Sequence, residues 1–582
     1  MSTKLSGRAA APGAAIAPAF IVTSQPALTD LPEAASGAPE EERRRLLESL
    51  DRAEAELHEL ARSLRAAVGE EEAGIFEAQA EFAADPELAR IADEAIGTGA
   101  SAERAVVEAF DTFRELLAAS ASEYLAARVA DLDDVRDRVV RILLGVSTAG
   151  DHPARRSVIV ARELTPSQTA SIPVDLIAGI VTETGSPTSH AAILARALGV
   201  PAVVGCEGVV AAARPGSDVG LDGRTGDVLV DPLPSERDTI ARRHEQEERR
   251  RDELGALRDE PGRTADGHPV ELAANIGSID HIPAAIEAGG EGSGLVRTEF
   301  LFLGRVTAPT VEEQTKVYAD ILRGFPGHRV VFRTLDVGAD KPLPFVERER
   351  EENPALGLRG IRLGLRRPAL FRDQLRALVR ARTEVAGEDA GRLAVMFPMV
   401  ASLAELLAAR ASFDEICAEE DLDPRDVEVG VMIEVPSAAL GAARLARDAD
   451  FFSIGTNDLL QYLFAVDRLN AAVADIGDVL DPDVLGLIAR VVGAAHAHGA
   501  WVGVCGEAAG DPTVAAALVG LGVDELSMTR VAIPEVKDAL RRLTRHACRD
   551  AVDEAIANAG DASESRRILE TRLRTSLASE TR

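Results

Sequence analysis

The sequence predicts a (β/α)8 barrel preceded by a smaller α/β unit that carries an all-helical insertion, and three observations predict it. Between 261 and 545, eight short β-branched runs recur, each followed by a helical segment; a barrel of this kind typically takes ~250 residues. Between 41 and 145 the apolar residues fall almost only at helical spacing. Between 151 and 231 the texture changes to short strands separated by turn pairs. A chain of 582 residues also exceeds what one hydrophobic core organises, so several domains are expected. The boundaries read as 1–30 with 146–231 for the α/β unit, 31–145 for the helical insertion, 232–260 for a linker helix, 261–545 for the barrel and 546–582 for a charged, peripheral C-terminal tail.

Each element follows from its residues. The stretch Ala9 to Val22 is broken by Pro12, Gly13 and Pro18, falls short of the roughly 20 apolar residues of a membrane span, and reads as a strand. Leu46, Leu50, Ala53, Leu57, Leu60, Leu64 and Val68 define one amphipathic helical face. Asp85-Pro86 is a cap followed by a proline at the first helical position, and Leu125, Val129, Leu132, Val139 and Ile142 mark a last long helix. SVIVA from Ser157, AGIVT from Ala178, PAVVG from Pro201 and DVLV from Asp227 are strands, with which the N-terminal strand pairs. Ser235 to Leu257 is dense in both charges and reads as a solvated linker helix with few contacts. The barrel strands are VELAANI, SGLVRT, VVFRTLD, LAVMFPM, VEVGVMIE, FFSIG, WVGVCG and VDELSM. An open parallel sheet is the alternative for these eight.

The formal net charge is −32, so the long-range field repels nucleic acid and anionic membranes. Only Lys4, Lys316, Lys341 and Lys537 are lysine, against 64 basic residues in all. Arginine is therefore background and lysine is not. The four cysteines are too few and too scattered for a disulfide framework or a zinc knuckle, which suits a reducing cytoplasmic setting.

In a barrel the chemistry gathers at the carboxyl ends of the strands. There the sequence sets Arg297, Arg333, Asp336, Glu434, Asn457, Asp458 and Cys505. Glu434 and Asp458 facing arginines suit a hard cation, most often Mg²⁺, that shares a substrate phosphate, and the arginines clamp a small anion. Lys341, in the loop DVGADKPLP, suggests a need for a compact ammonium. Cys505 is either a buried small apolar residue or a proton donor. In TGSPTSHAAILARALG, His190 stands in the first turn of a helix, beside Thr188 and Ser189, which can cap. There it is either a capping residue or a neutral nucleophile facing an anion.

The pieces TSHAAILARALGVPAVVG, GLVRTEFLF, FRTLDVGADKPLP, MFPMV, MIEVPSA, FFSIGTNDLLQY and VCGEAAGD, in this order, resemble enzyme I of the phosphoenolpyruvate-dependent sugar phosphotransferase system. The likeness runs from the GRAAAPGAAIAPAF start to about Leu540 and includes LTPSQTA. It implies that the α/β unit is a phosphohistidine domain and the barrel a phosphoenolpyruvate site. Mg²⁺ is expected on Glu434 and Asp458, with Arg297, Arg333, Arg468 and Asn457 on the substrate's phosphate and carboxylate and Lys341 in the substrate loop. His190 is implied as the phosphorylated nucleophile, oriented by Thr169, and Cys505 as the proton donor that releases pyruvate. A small carrier, HPr, would then take the phosphoryl group at the helical insertion, and a homodimer would form through the barrel. The alternative is a related phosphoenolpyruvate-utilising enzyme, or a paralogue serving a non-sugar relay. Dikinases of that kind need an ATP-grasp domain for which this sequence has no room. Ser186-Pro187, Ala339 and Leu469 depart from the family pattern.

Overall fold

The computed structural model describes all residues except 1, 23–30, 33–36, 68–69, 119–128, 146–151, 165–167, 169–171, 187–188, 304, 339–342, 347–350, 386, 388–389, 469, 471–472, 474–475 and 581–582. It divides into two compact units, Met1–Arg251 and Asp252–Arg582.

In the first unit, β1 (Thr3–Ser6), β2 (Arg8–Ala11), β3 (Ala14–Val22), β4 (Ser157–Ala161), β5 (Ile177–Thr182), β6 (Ala202–Val204), β7 (Asp218–Asp222) and β8 (Asp227–Val230) make one sheet. Its order is β1-β8-β7-β3-β4-β5-β6-β2, parallel from β3 to β6 and antiparallel elsewhere. Only Gly7 separates β1 from β2, yet these strands occupy opposite edges, so the sheet curls until its edges meet there. A Cβ at Gly7 would stand 2.6 Å from Val203 Cγ1 and 2.7 Å from Val204 O, which leaves room for glycine alone. The single N-terminal strand expected from sequence is thus three. β7 went unread because Gly220 interrupts its apolar pattern.

The helical insertion lies between β3 and β4 in sequence, as helices Pro39–Ala67, Glu70–Ala83, Pro86–Gly97, Ala102–Ala118 and Val129–Leu143. Leu46, Leu50, Ala53 and Leu57 fill its core with Phe76, Phe110 and Val139. Asp85 caps the third helix, its Oδ1 accepting from Glu87 N at 2.8 Å. Leu125 and Val68 lie outside the described residues.

The expected linker helix is present as Pro234–Gly255, but it is not solvated all round. Ile240 is buried in the space left by Gly220, where a Cβ would approach it to 2.3 Å. Arg237 pairs with Asp218, Arg243 Nη1 reaches Asp222 Oδ2 at 2.5 Å, and Glu247 Oε2 accepts from Ala14 N at 2.7 Å. Its ionic face therefore docks on the sheet. Charge density hid this in sequence because partner carboxylates on β7 are not local.

In the second unit, β9 (Glu271–Ile276), β10 (Gly292–Arg297), β11 (Arg329–Arg333), β12 (Arg392–Phe397), β13 (Glu428–Ile433), β14 (Phe451–Ile454), β15 (Trp501–Val504) and β16 (Glu525–Met528) close into a parallel barrel. All eight expected runs are its strands. Residues alternate between an outer core under the helices and an inner one of Leu295, Val331, Ala394, Met396, Met432, Phe451 and Cys505. Residues 546–580, expected as a peripheral tail, are not one. Helices Arg545–Asn558 and Ala562–Glu580 bury Cys548, Ala551, Val552, Ala555 and Leu569 in the outer core, a narrow apolar seam at helical spacing within a charged stretch. Among the described residues, no helix is long and apolar enough to cross a membrane.

Lys537 is 1% exposed, and its Nζ donates to Glu260 O at 2.7 Å, Gly289 O at 2.8 Å and Arg258 O at 3.2 Å. Three converging carbonyls suit a compact ammonium rather than a planar guanidinium. Replacing Lys537 by Met strands these carbonyls and lowers barrel stability by ~2–4 kcal/mol, measurable by chemical denaturation of the full chain. Lys537→Arg should not restore it.

Candidate active site

Strands carry their last inward-facing residues to the carboxyl rim, and a polar cluster forms there. Arg333, ending β11, is half-buried; its Nη2 lies 3.1 Å from Glu299 Oε1 and its Nη1 lies 3.2 Å from Asp336 Oδ2. Burial opposes its charge, but Glu299 and Asp336 outweigh it and hold the guanidinium protonated. Its Nε has no partner among the described residues. The strand end is set from behind: Thr298 Oγ1 donates to Arg333 O at 2.8 Å, and Gln374 Nε2 donates to Thr298 Oγ1 at 3.0 Å.

A second guanidinium, which the sequence reading missed, ties the cluster together. Arg359 grips Asp336 with Nε at 3.2 Å and Nη2 at 2.8 Å, while its Nη1 reaches Asp458 Oδ1 and the Tyr462 hydroxyl, each at 3.4 Å. It is buried between carboxylates, Asp336 above all, that hold it charged against burial. In a chain this rich in arginine the residue type carries no signal. The one local sign was Gly360, whose φ of 56° turns the backbone sharply beside Met399. Replacing Arg359 by Met removes the one guanidinium that Asp336 and Asp458 share, leaving Asp336 with Arg333 and Asp458 with the more distant Arg468, and kcat/KM should fall by ~10²-fold or more in steady-state assays.

Glu434 follows β13 and is 1% exposed. Its Oε1 accepts from Met399 N at 2.6 Å, whereas its Oε2 is buried without a partner among the described residues. Burial first, then the charges of Asp336 and Asp458, push its carboxyl up to about 8. Asp458 lies in the first turn of the helix Thr456–Phe464, with Arg468 Nη1 at 3.7 Å from its Oδ2. An orphaned carboxylate oxygen beside a second carboxylate fits a divalent cation. Among the described residues, no group of three or more His, Cys, Asp or Glu side chains is arranged to hold a metal, so such an ion would complete its shell with water or substrate oxygens.

Asn457 shares that first turn, half-buried, where free backbone N–H groups favour an anion. A Cβ on Gly506 would overlap Thr456 Oγ1 at 1.7 Å, so glycine lets the loop after β15 lie against this turn. Arg297 ends β10 and is exposed. Cys505 is buried, with its Sγ 3.8 Å from Ile454 O. Burial pushes its thiol up to about 11, against the Ser453 hydroxyl and Arg333. It is therefore a thiol at neutral pH, able to give a proton but not to act as a resting nucleophile.

In the first unit, His190 opens the helix His190–Ala197. Ala191, Ala192 and Ala195 pack this helix on the sheet, and Leu194 enters the core of the helical insertion. Ser189 takes the N-cap position without a side-chain cap bond, and its buried Oγ has no partner among the described residues. The structure thus joins Arg333, Asp336, Glu434 and Asp458 with Arg468 on one rim. Thr169 and Lys341, like Pro187, Ala339 and Leu469, lie outside the described residues.

Three family models match the chain: "PEP-utilising enzyme, N-terminal" over 6–128, "PEP-utilising enzyme, mobile domain" over 153–226, and "PEP-utilising enzyme, PEP-binding domain" over 251–545. The phosphoenolpyruvate-protein phosphotransferase of Streptomyces coelicolor is 46% identical over 504 residues, covering 86% of this chain and 87% of its own. That of Haloferax volcanii is 43% identical over 496 residues, covering 84% and 85%. That of Staphylococcus carnosus is 40% identical over 567 residues, covering 96% and 97%. With a closed barrel carrying a buried carboxylate and guanidinium cluster on its rim, and with this identity along nearly its whole length, the chain belongs to the phosphoenolpyruvate-protein phosphotransferase family, enzymes that move a phosphoryl group from phosphoenolpyruvate to protein.

Proposed function

We propose that the chain passes the phosphoryl group of phosphoenolpyruvate to its own His190 and then to a histidine of the small carrier HPr, releasing pyruvate, as the first step of sugar uptake in the cytoplasm. The observation that carries this reading is the pairing on one rim of an unpartnered Glu434 Oε2 with an unpartnered Arg333 Nε, a cation seat beside an anion donor. Arg333, Arg297 and Arg468, with Asn457, hold the substrate's phosphate and carboxylate, and Lys341 adds an ammonium from the loop after β11. Glu434 and Asp458 would hold Mg²⁺, which when bound neutralises charge on the phosphoryl oxygens. Arg359 keeps Asp336 and Asp458 in place. Fixed charges aimed at the moving phosphoryl group are the main catalytic contribution.

His190, kept neutral by the helix N-terminus and oriented by Thr169, attacks phosphorus. The P–O bond to enolpyruvate breaks as the N–P bond forms. Cys505 then gives its proton to C3 of the enolate, making pyruvate. HPr docks on the helical insertion, and two chains associate through their barrels. The test incubates the chain with phosphorus-labelled phosphoenolpyruvate and Mg²⁺, then adds HPr. Acid-labile, base-stable label that moves to HPr supports the reading; label that forms but stays put assigns another acceptor.

A further inference from the structure

The ion pairs of the rim cluster are unequal, and the inequality falls on one carboxylate. Charge-assisted bonds between guanidinium and carboxylate settle at about 2.7–2.9 Å. Arg359 grips Asp336 in nearly that way, with Nη2 at 2.8 Å and Nε at 3.2 Å from its two oxygens. Among the described residues, Asp458 meets no guanidinium so closely: Arg359 Nη1 stands 3.4 Å from its Oδ1, and Arg468 Nη1 stands 3.7 Å from its Oδ2.

A hydroxyl shares Arg359 Nη1 with Asp458. Asp458 and Tyr462 lie four residues apart on the helix Thr456–Phe464, so one turn brings both to the same guanidinium. The Tyr462 hydroxyl accepts from Nη1, also at 3.4 Å. It is held in place from its other side, since it donates to Ala355 O and lies 3.9 Å from Met399 Sδ. Both anchors are themselves fixed. Ala355 lies in the short helical turn Pro354–Leu356, and the segment around it is closed by Glu351 Oε1, which accepts from Leu358 N at 2.8 Å. Met399 takes a φ of 57°, uncommon for a residue with a side chain, and its N–H is the one that Glu434 Oε1 accepts. Ile361 N donates to Pro398 O at 3.2 Å, and a Cβ on Gly360 would stand 2.8 Å from Met399 Cβ, so the two loops interlock beside Arg359.

Resting on the reading of Asp458 as a cation ligand, we propose that Tyr462 is a positioning residue that holds Arg359 back from Asp458 and so keeps that carboxylate open to the metal. Without the hydroxyl, Nη1 has one acceptor in place of two and closes on Asp458 Oδ1. A cation must then break a full ion pair to bind. Asp336 stays gripped by Nη2 and Nε in either case.

The test titrates Mn²⁺ into the metal-free full chain, without substrate, and reads free Mn²⁺ by electron paramagnetic resonance. Tyr462→Phe should weaken Mn²⁺ binding about tenfold. The melting temperature of the metal-free chain should stay level, because the closed ion pair offsets the lost bond to Ala355 O. In an Arg359→Met background the same substitution should change Mn²⁺ affinity less than about twofold, since the group it acts through is gone. Unchanged or tighter Mn²⁺ binding by Tyr462→Phe would overturn the proposal. So would a loss of equal size in both backgrounds, or one accompanied by a lower melting temperature, because either makes Tyr462 a packing residue. Asp458→Asn that binds Mn²⁺ as tightly as the wild type would instead remove the reading on which the proposal rests.

Discussion

Replacing His190 with alanine abolishes acid-labile, base-stable label from phosphoenolpyruvate while the barrel continues to bind substrate. The proposed reaction needs a neutral nitrogen nucleophile, and no other group on this helix supplies one. Folding should survive, because the helix is held by Ala191, Ala192, Leu194 and Ala195, and alanine is the best helix former. Two measurements separate the effects: acid and base stability of the label, and protection of the barrel by phosphoenolpyruvate against thermal unfolding. Retention of label in the variant would move the nucleophile elsewhere. Loss of both label and protection would mean that the substitution had damaged more than the nucleophile.

Glu434→Gln is the second large effect. The amide still accepts the Met399 N–H, so the loop is held, but the orphaned Oε2 position becomes an uncharged donor or acceptor at the proposed cation seat. The rate should fall ~10²–10⁴-fold, about 3–5 kcal/mol of transition-state stabilisation. Raised Mg²⁺ should recover part of it, because the lost affinity is electrostatic. Thermal stability without metal should stay level or rise, since a carboxyl whose ionisation burial opposes has been replaced by a neutral isostere. A variant with full activity at ordinary Mg²⁺ would remove Glu434 from the metal site.

The fold was legible wherever one residue's environment repeats along the chain. All eight barrel strands and the strands from Ser157 and Asp227 were read from β-branched runs, and Asp85 was read as a cap, because periodicity and caps are local properties. Reading failed where burial depends on distant partners. The segment after Asp550 reads as charged because most of its residues are solvated; its seam of Ala551, Val552, Ala555 and Leu569 matters only against the barrel helices. The linker helix was judged unattached because Asp218 and Asp222, which bind its arginines, lie on a strand that the sequence had not revealed.

The site divides the same way. Residue types at strand ends named Arg333, Glu434, Asp458 and Cys505, since parallel strands deliver their carboxyl ends to one rim. Composition singled out Lys341, which lies outside the described residues. Lys537, equally rare, is the lysine whose surroundings explain it. By itself the sequence determined the order of domains, the barrel and the family's motif residues. The tertiary structure alone decided that Arg359, 99 residues from Asp458, is the strut of the carboxylate cluster, and that the space beside Gly503 is filled by the buried Glu525. The reason is physical: local spacing records which face of a strand is buried, whereas charge neutralisation and empty space depend on what the folded chain brings alongside.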